Sequence, residues 1–178
     1  MSSTSLSSKV ILSLACLLTC STSLQSTFAQ STKQERKLAE AEKEKIQEKA
    51  RAIFKAKPLV VDAKEDELQR LLKERFNNAT TELETQFLIL DNDLTTVDAV
   101  GASIHRWTKA GLEVSEEPAA QVKILEMQIV VSRFLELICV TKYANGTDDL
   151  AKVLQAKNQR ITAELELLRY KKSLQVSK

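Results

Sequence analysis

The sequence predicts an all-α fold: an antiparallel four-helix bundle of two helical hairpins, preceded by a signal peptide and a charged N-terminal helix. Three observations predict it. Glycine and proline number only 3 and 2 in 178 residues, while the composition is rich in Ala, Leu, Glu, Lys and Gln, which favour helix. Apolar residues recur at spacings of three and four along successive stretches, and hardly any stretch alternates as a strand does. Finally, Tyr143-Ala144-Asn145-Gly146-Thr147-Asp148 separates two such stretches as a tight turn, with Gly146 suited to the left-handed backbone that ends a helix. A short turn between helices implies antiparallel neighbours. The length suits one domain, and the sequence divides into 1–29, a signal peptide, 30–61, a charged helix or arm and hinge, and 62–174, the helical bundle.

The first 29 residues have the layout of a targeting segment. Lys9 supplies a weakly positive start, Val10 to Leu18 an apolar core too short for a membrane anchor, and Thr27-Phe28-Ala29 a small-residue cleavage site before Gln30. Lipid modification at Cys16 or Cys20 is the disfavoured alternative, because the run before Cys16 is short and Thr19 is a poor neighbour for Cys20. Export implies an oxidising compartment, periplasmic or at the cell envelope. Cleavage after Ala29 leaves Cys139 alone, flanked by Ile138 and Val140, and it reads as a buried small hydrophobe.

From Lys33 to Lys57, Lys and Arg outnumber Glu by nine to five. Leu38, Ile46, Ala50 and Ile53 form only a thin stripe, so this segment reads as a solvated helix outside the bundle or a mobile arm. Pro58 ends it, and a hinge is expected at Lys57 to Val61. Asp62 with Glu65 resembles a capping box opening the next helix, whose stripe is Leu68, Leu72, Phe76, Ala79, Leu83, Phe87 and Leu90. Asp91-Asn92-Asp93 is turn chemistry. Thr95 then restarts a helix striped by Val97, Val100, Ile104, Trp107, Gly111 and Val114, up to a break at Pro118. Between Val122 and Val140 apolar residues occupy most faces, interrupted by Lys123, Glu126, Arg133 and Glu136. That pattern excludes a membrane span and predicts an inner helix surrounded by others. After the Asn-Gly turn, Thr147 or Asp148 is expected to cap a last helix whose buried stripe is Leu150, Leu154, Lys157, Ile161, Leu165 and Leu168.

A shift of 53 residues superimposes the two turns. Leu90 falls on Tyr143, Asp93 on Gly146, Val97 on Leu150 and Val100 on Val153, and further on Ala110, Leu112 and Glu113 meet Ala163, Leu165 and Glu166. The second unit, YANGTDDLAKVLQAKNQRITAELELL, resembles the tyrosine-x-x-glycine turn and Ala/Arg/Glu-rich return helix of the TolC-type outer-membrane efflux family, through Tyr143, Gly146, Leu154, Ala156, Arg160, Ala163 and Glu164. It is similar, too, to small exported bacterial helical proteins that carry two such units and have no assigned activity. The first unit departs from the motif, with Asp91-Asn92-Asp93 in place of the glycine turn. The sequence lacks the alternating apolar strands of a membrane channel, so the resemblance implies a helical-hairpin scaffold.

Function is constrained mainly by exclusion. A formal charge of +2 and 4% aromatics do not suggest a nucleic-acid partner. His105, the only histidine, has no companion ligands and reads as a boundary residue, so no metal or other cofactor is expected. Ser103 near His105 has no supporting third group, and Gly101 and Gly111 are isolated glycines suited to close helix packing. The pairs Glu116-Glu117 and Asp148-Asp149 complement helix dipoles, and Trp107 reads as core. No catalytic or cofactor-binding residue is nominated. The expectation is a non-enzymatic exported scaffold or interaction module that meets a protein partner or itself. The alternative is an accessory or degenerate relative of an efflux component. A small helical enzyme would need several charged residues pointing into the bundle.

Overall fold

The structure, a computed structural model, describes residues 40–176, and these form five helices and no strand. The expected signal peptide, with Cys16, Cys20 and the cleavage site at Ala29, and the arm up to residue 39 lie outside the described residues. Residues 40–44 are helical and exposed; a compact unit begins at Lys45. Within it, helix α1 covers residues 45–54. It is followed by α2 (Glu67–Asp91), α3 (Val97–Val114), α4 (Pro118–Ala144) and α5 (Leu150–Val176).

The helix starts are set by side-chain caps. Asp66, not Asp62, opens α2 by accepting the Gln69 N–H at 2.8 Å, whereas Asp62 closes a local turn with the Lys64 N–H at 2.9 Å. Thr96, one residue after the expected Thr95, accepts from the Ala99 N–H at 3.2 Å and opens α3. Asp149 accepts from the Lys152 N–H at 2.9 Å, so the cap of α5 is neither Thr147 nor Asp148. In each case several short polar residues cluster at the boundary, and the backbone selects the one three positions before a free N–H. Pro118 occupies the first turn of α4, where its missing N–H costs nothing.

Helices α2 and α3 run in opposite directions, paired through Arg75–Glu113, Thr80–Trp107, Glu82–Arg106 and Gln86–Thr95. The same holds for α4 and α5, paired through Glu126–Lys171, Gln128–Glu166, Arg133–Glu164 and Glu136–Arg160. Helix α3 packs against α2, α4 and α5. Its Trp107 is 1% exposed and donates its indole N–H to Thr80 Oγ1 at 3.1 Å. A Cβ on Gly111 would lie 3.0 Å from Phe76 and 3.2 Å from Ile124, so the expected close approach is real. Between Ala120 and Cys139 of α4 only Lys123, Glu126 and Arg133 are exposed, as an apolar-all-round helix requires. The α2 stripe deepens along its length, from exposed Leu68 through half-buried Leu72 and Phe76 to buried Ala79, Leu83, Phe87 and Leu90.

Helix α1 departs from the solvated role expected for this charged segment. Its charged residues stay exposed, but Ala50 is fully buried and Ile53 and Phe54 pack on the core. The Phe54 ring lies 5.2 Å from Phe87 and 6.3 Å from Phe134, joining α1 to α2 and α4 in one aromatic cluster. The expected hinge is fastened as well, because Asn77 of α2 exchanges two hydrogen bonds with the backbone of Leu59, at 2.8 and 3.0 Å.

The largest correction concerns α5. Its expected buried stripe lies outside: Leu150, Leu154, Ile161, Leu165 and Leu168 are 38–63% exposed. The core-facing side carries Ala156, Ala163 and Leu167 instead. Ala156 and Leu154 differ by two positions, which is about 200° around the helix, so burying one row exposes the other. Small alanines let α5 lie closer to its neighbours than the leucine row would.

The two hairpin turns close by the same hydrogen bonds. Asp93 N–H donates to Leu90 O at 3.1 Å and Leu94 N–H to Ile89 O at 2.9 Å; 53 residues later, Gly146 N–H donates to Tyr143 O and Thr147 N–H to Lys142 O, each at 3.0 Å. This is a Schellman-type closure in both turns. Asp93 has φ 59° and Gly146 φ 71°, so the aspartate adopts the left-handed conformation that glycine adopts in the second turn. The strain of that conformation is partly offset by the Asp93–Lys142 ion pair at 2.7 Å. Asp93→Ala is expected to lower stability, because alanine tolerates left-handed backbone poorly. Asp93→Gly should cost less than Asp93→Ala in the same urea titration.

Candidate functional site

Burial, surface and clefts nominate two features, both built on α5. The first is its outward face. Leu154, Ile161 and Leu168 lie seven residues apart and so share one line along the helix, with Leu150 and Leu165 beside it. From Leu150 to Leu168 the row spans 19 residues, about 27 Å. Single exposed leucines are ordinary, but a continuous row is not. The helix is also polar in charge along its length, beginning at Asp148 and Asp149 and ending with Arg169, Lys171 and Lys172.

The second feature is a cleft of about 270 Å³ where α3, α4 and α5 meet. Asp98, Gly101, Ile104 and His105 line it from α3, Gln128 and Ser132 from α4, and Gln155, Asn158, Gln159, Thr162 and Glu166 from α5. Gln128 is 5% exposed and donates its amide N–H to Glu166 at 2.8 Å; its Oε1 is buried without a hydrogen-bond partner. Gln159 donates to the Val97 carbonyl at 3.3 Å, and its Oε1 is likewise buried and unpartnered. Gln155 donates to Asp98. Gly101 makes room for this arrangement, since a Cβ there would collide with the Gln159 amide.

A further cavity of about 400 Å³ lies between residues 53–58 and helices α2, α3 and α4, lined by Ile53, Phe54, Pro58, Phe76, Trp107 and Met127 among others. Its walls are mainly apolar and carry Asn77, Thr80, Thr81 and Glu84 at the edge.

Helices α4 and α5 are also joined by a charge network. Arg160 contacts Glu136 at 2.6 Å and Glu164 at 2.9 Å, and Arg133 reaches Glu164 at 3.1 Å. The hydrogen bond from Arg133, with that from Arg160, holds the Glu164 carboxyl below its usual range, and the Glu136 hydrogen bond raises Arg160.

The residues weighed from sequence fall as follows. His105 is exposed at the wall of the cleft. Ser103 is fully buried and donates to the Val100 carbonyl at 2.7 Å. Asp148 pairs with Lys152 at 2.5 Å and Asp149 caps α5, while Glu117 precedes α4 without a side-chain cap. Cys139 is 1% exposed, and burial pushes its thiol up to about 11. Among the described residues no three His, Cys, Asp or Glu side chains are grouped to hold a metal, and no helix is long and apolar enough to cross a membrane. Gln128 and Gln159 went unnoticed in the sequence, because a glutamine's partner is decided by packing and only the missing bond marks it. Comparison with protein families, curated proteins and solved structures finds no match.

Two measurements check these assignments. Cys139 should react with a disulfide reagent at neutral pH only at the rate the protein opens, because its thiol is both covered and protonated; rapid stoichiometric labelling of folded protein contradicts the burial. Glu164 has a depressed folded pKa, so its stabilising contribution is complete above the ordinary carboxyl value, roughly 4.3, and is lost as pH falls through the folded value. Glu164→Gln should therefore flatten the acid limb of the stability–pH curve and leave its shape near neutrality unchanged.

Proposed function

We propose that this chain is an exported, non-enzymatic antiparallel four-helix bundle of two hairpins, bearing a signal peptide and a charged N-terminal helix. It acts as a scaffold or protein-interaction module of the periplasm or cell envelope. The observation that supports this reading is the outward leucine row of α5, which a protein acting alone would have reason to cover or replace.

The occupant of that face is a second copy of the chain. When two α5 helices are laid in opposite directions about Ile161, Leu154 of each faces Leu168 of the other, and Lys157 comes beside Glu164. The acidic start at Asp149 then meets the basic end at Lys172, and the helix dipoles oppose one another. A parallel pairing would set like charges together. The row is self-complementary, as a two-fold interface requires.

The measurement is mass by light scattering of the chain from Gln30, at high micromolar concentration. Twice the monomer mass is expected. The triple variant Leu154→Glu, Ile161→Glu, Leu168→Glu should be monomeric with a nearly unchanged melting temperature, since exposed positions contribute little to folding, about 0.5 kcal/mol each. A monomeric unmodified chain, or a variant that still dimerises, sinks the proposal of a second copy.

A second reading is an accessory or degenerate relative of a TolC-type efflux component. It is favoured by the two turns, whose hydrogen bonds repeat at a 53-residue interval and which Lys142 ties together by bonding the Leu90 and Asp91 carbonyls at 2.7 and 3.1 Å. Co-purification with a membrane transporter from the envelope fraction supports it, and a dimer with no envelope partner counts against it.

A further inference from the structure

The cleft between α3, α4 and α5 is more strongly biased in its hydrogen bonding than the rest of the surface. Gln128 and Gln159 each commit one amide N–H, to Glu166 and to the Val97 carbonyl, while their carbonyl oxygens stand unpaired. Both oxygens are buried and without a partner. A buried polar atom left without a hydrogen bond costs free energy, so a native structure ordinarily supplies a partner. Two carboxylates, Asp98 and Glu166, stand at the same cleft, and neither lysine nor arginine lines it. Gly101 is the third element of construction: with no Cβ, it lets the Gln159 amide lie flat against α3. Gln128 is the most constrained member, being 5% exposed on the inner helix.

The geometry points to this cleft as a binding site for a small organic cation carrying N–H donors, a primary ammonium or a guanidinium. The two amide oxygens accept its N–H groups, and Asp98 and Glu166 balance its charge. The volume, about 270 Å³, admits a compact molecule and not a macromolecular segment. Asp98 and Glu166 disfavour anions, and the site discriminates against cations without N–H groups, because the buried oxygens then remain unpaired. The site lies on a different side of α5 from the leucine row and does not depend on dimerisation.

The test is an NMR titration of the chain from Gln30, following the side-chain amide signals of Gln128 and Gln159. The probes are 1,3-diaminopropane, tetramethylammonium, propionamide and calcium chloride. Saturable shifts at both amides with the diamine, and at least about tenfold weaker effects from the other three, are expected. Gln128→Met and Gln159→Met should each weaken diamine binding about tenfold while the circular dichroism stays helical. Gly101→Ala should weaken it too, by displacing the Gln159 amide. Glu166→Gln, at a half-buried position, removes charge without opening the core and should also weaken binding if the methionine variants fail to fold. Equal response to tetramethylammonium or propionamide overturns the proposal, as does preference for calcium. Absence of saturation with the unmodified chain overturns the proposal as well.

Discussion

The face that α5 turns inward, Ala156, Ala163 and Leu167, is the constraint on which the rest of the molecule depends. Ala156 and Ala163 are buried and present little beyond backbone to the core. Three consequences follow from that single choice. The leucine row, half a turn away, must face outward. The flanking polar side chains of α5 are brought within reach of α4, where Arg160, Glu164 and Glu166 find Glu136, Arg133 and Gln128. The space where the three helices meet is a cleft lined with amides.

The α2–α3 hairpin solves the same problem differently. Its interface is filled by large side chains, with Trp107 against Phe76 at 6.1 Å and Leu83, Phe87 and Leu90 below. Gly111 there comes close to Phe76 of α2 and to Ile124 of α4. Two hairpins with nearly identical turn closures thus carry different interiors: aromatic bulk faces inward in one, and Ala156 and Ala163 of α5 face inward in the other. The weak shared identity between the halves is consistent with this, since the turn demands a left-handed residue at one position, whereas packing admits many solutions. Asp93 shows how loosely even that demand can be met.

The helices and their order could be read from the chain, because periodicity and caps are local and each helix leaves a pattern within its own sequence. Cap positions were legible only to within a few residues, since Asp62, Asp66, Thr95 and Thr96 are equivalent as side chains and differ only in which free N–H stands three positions ahead. The candidate site was illegible. The unpartnered oxygens of Gln128 and Gln159 exist because four residues on three helices meet, and no residue type announces that. The aromatic cluster that recruits α1 was similarly hidden, as Phe54 ends a segment dominated by charge.

By itself the sequence determined that the molecule is helical, where its turns fall, and that the helix after Pro118 is surrounded. These follow from backbone preference and from the free energy of hiding apolar surface, both of which act along the chain. Only the tertiary structure decided which face of α5 is inside. That helix has two faces capable of burial, one of alanine and one of leucine, and hydrophobicity favours the wrong one. The neighbours reverse the preference, because the space beside α3 and α4 fits small side chains, and polar partners stand ready at its margins.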